Sequence, residues 1–183
     1  MDRYKGHCST LFKSVFRYVA LDVETTGLSP RKGHRIIEVG AVAIEYGKPV
    51  GELSSLVNSG RKIPCQTARI HGITDAMLTN QPLPDEIMPR LWDFLKDSIV
   101  IAHNARFDVE FLRHEFGLIS LQLENKAVCT LEMSRKLYPG LPNHRLNTVY
   151  RYLFGEKPAN VQRHRALDDA KMTAAIWLEM VKR

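Results

Sequence analysis

Hydrophobic positions come in two rhythms along this chain. From Phe16 to Val23 the residues FRYVALDV are β-branched and aromatic, and the run breaks at Glu24-Thr25-Thr26-Gly27, where a glycine can turn the backbone. This predicts a buried strand followed by a loop. Two more apolar runs, Arg35 to Tyr46 and Gly51 to Asn58, flank Gly47-Lys48-Pro49, a turn signal of hairpin length. Three sequential, antiparallel strands follow from that. Past Pro64 the spacing becomes helical: Gln66 to Ile70 predicts a short helix stopped by Gly72, and Asp85 to Lys96 spaces Ile87, Leu91, Phe94 and Leu95 at helical intervals. Ser98 to His103 is a short apolar run, and Phe107, Phe111, Leu112 and Phe116 mark an amphipathic helix ended by Gly117. Leu131 to Tyr138, Leu146 to Phe154 and Ala166 to Val181 predict further helices. A strand meander followed by alternating strands and helices specifies an α/β domain with a mixed sheet.

Composition narrows the class. With 183 residues, 44% hydrophobic and 25% charged, the chain fits one domain of ordinary soluble character. Residues 16–183 form that domain, and residues 1–15, with Arg3, Lys5 and Lys13 against Asp2, form a basic arm. No apolar stretch is long enough to span a membrane. Leu11, Phe12, Val15 and Phe16 are interrupted by Lys13 and Ser14, so no secretory signal is legible and a cytoplasmic protein is expected. Cys8, Cys65 and Cys129 lie far apart without a CxxC pair, which argues for a reducing compartment and against a sulfur metal site. The formal net charge of +6 favours a polyanionic partner. There is no GxxxxGK[ST] and no GxGxxG, so a phosphate-cradling glycine loop is absent from the sequence.

Three places carry acids where the pattern wants apolar groups. Asp22 and Glu24 stand two apart near the end of the first strand, so both carboxylates project to one face. Like charges held together need a cation or a proton, and hard oxygen donors suit magnesium or manganese; a solvated strand end is the plainer alternative. Asp108 falls in the first turn of a helix that follows a short strand, at the sheet edge where α/β proteins bind ligands, although favouring the positive end of the helix dipole is reason enough for an acid there. In Arg163-His164-Arg165-Ala166-Leu167-Asp168-Asp169, His164 and Asp169 would point roughly 140° apart on one regular helix. His164 therefore belongs to the loop before the helix, where it serves as a pH-tuned base or is simply a surface histidine.

Taken together, Asp22-Val-Glu24-Thr-Thr-Gly27-Leu28, then His103-Asn104-Ala-Arg-Phe107-Asp108, then His164-Arg-Ala166-Leu-Asp-Asp169 resemble the DEDD exonucleases of the histidine subclass, the group typified by the proofreading epsilon subunit of bacterial replicative polymerase. Ile70-His71-Gly72-Ile73-Thr74 is similar to that family's substrate-side loop, and the resemblance runs from about Phe16 to the C-terminus. It implies a ribonuclease H-like fold, a five-stranded mixed sheet ordered 3-2-1-4-5 and flanked by helices. It also implies two divalent ions, Mg²⁺ or Mn²⁺, held by Asp22, Glu24, Asp108 and Asp169, with His164 taking a proton from the attacking water. Substrate contacts carried over are Thr25, Thr26, Gly27 and Leu28 around the terminal nucleotide, Ile70 and His71 as wedge and phosphate or sugar contact, and Asn104 and Phe107 beside the terminal sugar and base.

The implied activity is metal-dependent 3′-to-5′ trimming of single-stranded DNA or frayed ends, releasing nucleoside 5′-monophosphates. RNA trimming of the oligoribonuclease kind is the close rival, and a non-catalytic module of a polymerase assembly the more distant one. Leaving out the four pocket acids, the rest of the chain carries +10, four more than the whole, which suits single-stranded nucleic acid 3′ ends as partner. Neighbours on a helix point about 100° apart, so one of Asp168 and Asp169 enters the pocket, and the HxAxxD match selects Asp169. The epsilon type carries a C-terminal tether to its polymerase; with Arg183 last, free-standing action or docking through another surface is expected.

Overall fold

The computed structural model describes residues 16–156 and 165–182. The basic arm and His164 lie outside the described residues.

Strand β1 (Arg17–Thr25) is the middle of a five-stranded sheet ordered β3-β2-β1-β4-β5. β2 (Ile36–Glu45) pairs antiparallel with β1, and β3 (Lys48–Leu56) antiparallel with β2. β4 (Ser98–Ala102) and β5 (Ala127–Cys129) add in parallel on the other side. The helices are α1 (Cys65–His71), α2 (Asp75–Leu78), α3 (Pro84–Leu95), α4 (Ala105–Leu118), α5 (Thr130–Leu137), α6 (Leu146–Phe154) and α7 (Ala166–Met180). Among the described residues, no helix is long and apolar enough to cross a membrane.

The alternation of β1 separates two cores. Val19, Leu21 and Val23 join Leu91, Phe111, Leu112 and Phe116 on the face covered by α3 and α4. Tyr18 and Ala20 join Ala170, Ala174 and Trp177 of α7 on the opposite face, with the Tyr18 and Trp177 rings 4.3 Å apart. Small residues on both sides let α7 lie close to the sheet. The closest approach is at Gly40 of β2, where an added methyl carbon would sit 2.2 Å from the backbone of Ala166 and of Leu167. Only a residue without a side chain permits that contact.

Two sequence readings need correction. The β2–β3 turn is tighter than Gly47-Lys48-Pro49: Glu45 pairs with Lys48, leaving Tyr46 and Gly47 as the turn, both with positive φ (51° and 74°). That is the mirror-image turn whose twist matches two antiparallel strands. Pro49 falls inside β3, which is tolerated because β3 is an edge strand. Gly117 does not end α4, which continues through Leu118 and stops at Ile119, with Ser120 taking the left-handed conformation (φ 61°).

Candidate active site

The side-chain alternation that builds the α7-facing core continues past Ala20 to Asp22 and Glu24, both half-buried. Asp22 pairs with Gly40 across the β1–β2 ladder and Glu24 pairs with Glu38. The helix seated on Gly40 therefore begins directly beside the two strand carboxylates, and Asp169 in its first turn meets them. One oxygen from each of Asp22, Glu24 and Asp169 lies within 4.8 Å of the others. It is Asp169, 7% exposed, and not its neighbour Asp168 that completes this group.

The start of α7 is held by Glu38, a buried acid in an otherwise apolar strand. One of its oxygens accepts from Nε and Nη2 of Arg165, at 2.9 and 2.7 Å, and the other from the backbone N–H of Ala166 at 3.1 Å. α4 is fixed in the same way. Buried Glu115 accepts from Nε and Nη2 of Arg35, at 2.8 and 2.7 Å, and from the N–H of Ile36 at 3.1 Å. Glu115 follows Asp108 by seven residues, two helical turns, so the clamp and the pocket acid share a side of α4. Sequence reasoning missed Glu38, Glu115, Arg35 and Arg165. The available signal was a glutamate inside the apolar run IIEVGAV, since a charge there must be paired.

Asp108 is buried at the head of α4. The β1–β4 ladder ends at Ala20 and Ile101, so the β1 backbone beyond it is open on that side, and Asp108 hydrogen-bonds to the backbone at Val23 and at its own residue. Crowded acids out of water resist ionising. Burial first, then the negative charges of Asp108, Asp169, Glu24 and Glu38, hold the Asp22 carboxyl well above its ordinary range. Glu24 is pushed up to about 8 by burial and by Asp169, Glu38 and Asp108, with Arg165 opposing. Asp108 is also raised to about 8, chiefly by burial, its backbone hydrogen bonds working the other way. An all-oxygen donor set drawn from a strand and two helices, with its charge this poorly compensated, fits hard divalent cations such as magnesium or manganese.

The turn after β1 is built around Thr25 to Leu28. Thr25 Oγ1 donates to the carbonyl of Gly27 at 2.6 Å, and the backbone N–H of Arg35 donates to Thr26 Oγ1 at 3.0 Å. A methyl group on Gly27 would collide with the His34 ring, at 2.4 Å. Thr67 Oγ1 of α1 donates to the carbonyl of Thr26 at 3.4 Å, which brings α1 against this turn. Leu28 and Ile70 are left 86% and 59% exposed. His71 is buried, and its Nδ1 accepts from the N–H of Ile73 at 3.0 Å.

Asn104 occupies the left-handed region (φ 86°) as the residue before α4, and Phe107 is half-buried against Phe111, ring centroids 5.0 Å apart. His103 is no ligand to the acid group, because both ring nitrogens are engaged. Nε2–H donates to the carbonyl of His144 at 2.8 Å and Nδ1 lies 2.9 Å from Thr130 Oγ1. Burial keeps this imidazole below its usual pKa, so it is the neutral ring that ties β4 to the segment before α6.

The family described as Exonuclease matches residues 19–177. The chain belongs to that exonuclease family. Within the family it is 40% identical over 159 residues to the DNA polymerase III PolC-type protein of Clostridium perfringens, a match spanning 87% of this chain and 11% of that one. It is 37% identical over 174 residues to the DNA polymerase III subunit epsilon of Rickettsia felis, spanning 91% and 75%. The exonuclease domain thus covers only about a tenth of its PolC-type relatives. Among solved structures, Exonuclease X in complex with 5′ overhanging duplex DNA superposes with a TM-score of 0.72 at 29% identity, over 90% of both chains. The nuclease domain of 3′hExo, a DEDDh family member bound to rAMP, shares the fold at a TM-score of 0.76 and 17% identity, over 93% and 94%. The strand order 3-2-1-4-5 is that of the ribonuclease H-like fold, as the sequence resemblance implies.

Proposed function

We propose that this chain is a 3′-to-5′ exonuclease that removes the last nucleotide of single-stranded DNA or of a frayed end as a nucleoside 5′-monophosphate. The observation that carries the reading is the convergence of Asp22, Glu24 and Asp169 within 4.8 Å, with Asp108 electrostatically joined to them. Asp22, Glu24, Asp108 and Asp169 would hold two magnesium or manganese ions, which when bound would supply charge stabilisation for the attacking water and the leaving oxygen. His164, two residues ahead of α7, accepts the proton that water gives up as its oxygen bonds to phosphorus. The P–O3′ bond breaks and its electron pair stays on O3′, which takes a proton from solvent, leaving a shortened strand with a free 3′ hydroxyl. The turn Thr25 to Leu28 with Asn104 holds the terminal nucleotide, and the exposed Leu28 and Ile70, with the half-buried Phe107, offer apolar surface to its base and sugar, a sequence-tolerant mode of binding. Exonuclease X, named with overhanging duplex DNA, supports DNA as substrate. The polymerase III relatives support a polymerase as partner.

The test is degradation of 5′-labelled single-stranded DNA and RNA of matched sequence, with magnesium, manganese or chelator, by the natural chain, Asp22→Asn and His164→Ala. A ladder shortening from the 3′ end that vanishes with chelator and with Asp22→Asn is expected, faster on DNA. Full-length oligomers after incubation under every metal would overturn the reading, and faster shortening of RNA would reassign the substrate.

A further inference from the structure

On the far side of the acid group from Leu28 and Ile70, a cleft of about 530 Å³ opens among His103, Asn104, Arg135, His144, Arg145 and Asp169. The sheet order sets this arrangement. The turn after β1 and helix α1 lie toward β2, whereas the cleft is walled by segments that follow β4 and β5. Asp169 belongs both to the acid group and to the cleft lining, so the cleft is continuous with that group.

Hydrogen bonds brace its polar wall. His103 pins the backbone of His144, and the His144 ring nitrogen Nδ1 lies 3.0 Å from Ser134 Oγ. Asn143 Oδ1 accepts from the N–H of Arg145 at 3.1 Å and from Thr148 Oγ1 at 2.7 Å, fixing the residue that opens α6. Arg135 closes the last turn of α5 opposite it. Among the described residues, every ion pair of the molecule involves other cations, and the guanidiniums of Arg135 and Arg145 meet no carboxylate. Two exposed, uncompensated guanidiniums beside an anionic site call for a bridging anion, and guanidinium geometry suits phosphate. Leu131 and Leu146 give the same cleft an apolar floor for a sugar or base.

We propose that this cleft carries the strand upstream of the scissile bond, with Arg135 and Arg145 on the phosphodiesters that precede it. The assignment rests on the exonuclease reading above and adds a direction to it: the 3′-terminal nucleotide lies toward Leu28 and Ile70, and the chain departs past α5 and α6. A volume of several hundred cubic ångströms is of the size that takes a small ligand, here one or two nucleotides.

The experiment compares two substrates, a thymidine 5′-phosphate nitrophenyl ester, which has no upstream nucleotide, and a deca-thymidylate. Arg145→Gln, Arg135→Gln and the control Arg90→Gln, an exposed arginine on α3, are assayed on both, with thermal melting to verify folding. Binding of labelled deca-thymidylate in chelator is measured by anisotropy across a salt series. Each cleft variant is expected to lose roughly tenfold in kcat/KM on the oligomer, well beyond its loss on the ester, and to lower the salt slope of binding by about 0.7. Equal losses on ester and oligomer, or a loss in Arg90→Gln matching that of the cleft variants, would overturn the proposal. If the natural chain cleaves neither substrate, the exonuclease reading fails, and an unchanged salt slope in the cleft variants would then dispose of the cleft separately.

Discussion

Glu24 and Asp108 rise from ordinary values of 4.5 and 3.8 to about 8 when the chain folds. A carboxyl raised in this way binds a proton in the folded state that the unfolded chain has released, so the stability it contributes is complete below about pH 4 and is lost as pH climbs through about 8. Without divalent ions the melting temperature should therefore fall between pH 5 and pH 8, and calorimetry in chelator measures it. Magnesium should raise the melting temperature more at pH 8 than at pH 5, because the ions take the place of the lost protons. Asp22→Asn, which removes one of the crowded charges, should flatten the fall while removing cleavage. A melting temperature at pH 8 that ignores both magnesium and the substitution would contradict the crowding argument. The neighbours Asp168 and Asp169 separate by position alone: Asp169→Asn should lower kcat by roughly three orders of magnitude, the scale of losing a group that acts in the reaction, and Asp168→Asn by far less. The sequence marks Asp22, Glu24, Asp108 and Asp169 as acids where the pattern wants apolar groups, but that pattern leaves a plainer role open for each, and it is the motif resemblance that selects them and takes Asp169 over Asp168. The pairing partners Glu38 and Arg165 were not legible, because their contact spans 127 positions and no local spacing records it.

At the level of elements, two helices bring acids to one strand, and each is fastened by a buried glutamate holding a guanidinium and a backbone N–H. Removing one partner of such a buried group leaves the other uncompensated. Glu115→Gln should cost about 3 kcal/mol, read from chemical denaturation. Glu38→Gln should do similar damage and also lower kcat, since the first turn of α7 carries Asp169. Gly40→Ala is the sharpest case. Its methyl group would collide with helix backbone, which cannot swing aside as a side chain can, and a loss of about 3 kcal/mol together with cleavage is expected. The strands and long helices were readable because hydrophobic period and length agree. The four-residue α2 and three-residue β5 carry too few positions to show a period, and β5 exists because its ladder partner β4 offers an edge. Gly117 misled because a glycine ends a helix only where the backbone turns left-handed, and here Ser120 supplies that conformation.

Across the whole molecule, charge is divided between a crowded acidic pocket and a surface that is basic by a wide margin. On the proposed function, that division makes attraction to a polyanion general and its cleavage local. The KM for single-stranded oligomers should climb steeply with salt, roughly 0.7 logarithmic units per tenfold change for each phosphate held, while kcat varies little. Initial rates in a potassium chloride series decide it; a salt-independent KM would mean that surface charge takes no part. The sheet order itself was legible only through the resemblance carried by the motifs, since runs of apolar residues say which segments are strands and not which lie side by side. One feature of that order reaches beyond this chain. The carboxylates would be in vain without the bare α-carbon of Gly40, which lets a helix touch down on the sheet beside them. Anyone transplanting the reaction to a new scaffold must copy an absence as faithfully as the acids, and a survey that ranks positions by their reactive groups would pass over it.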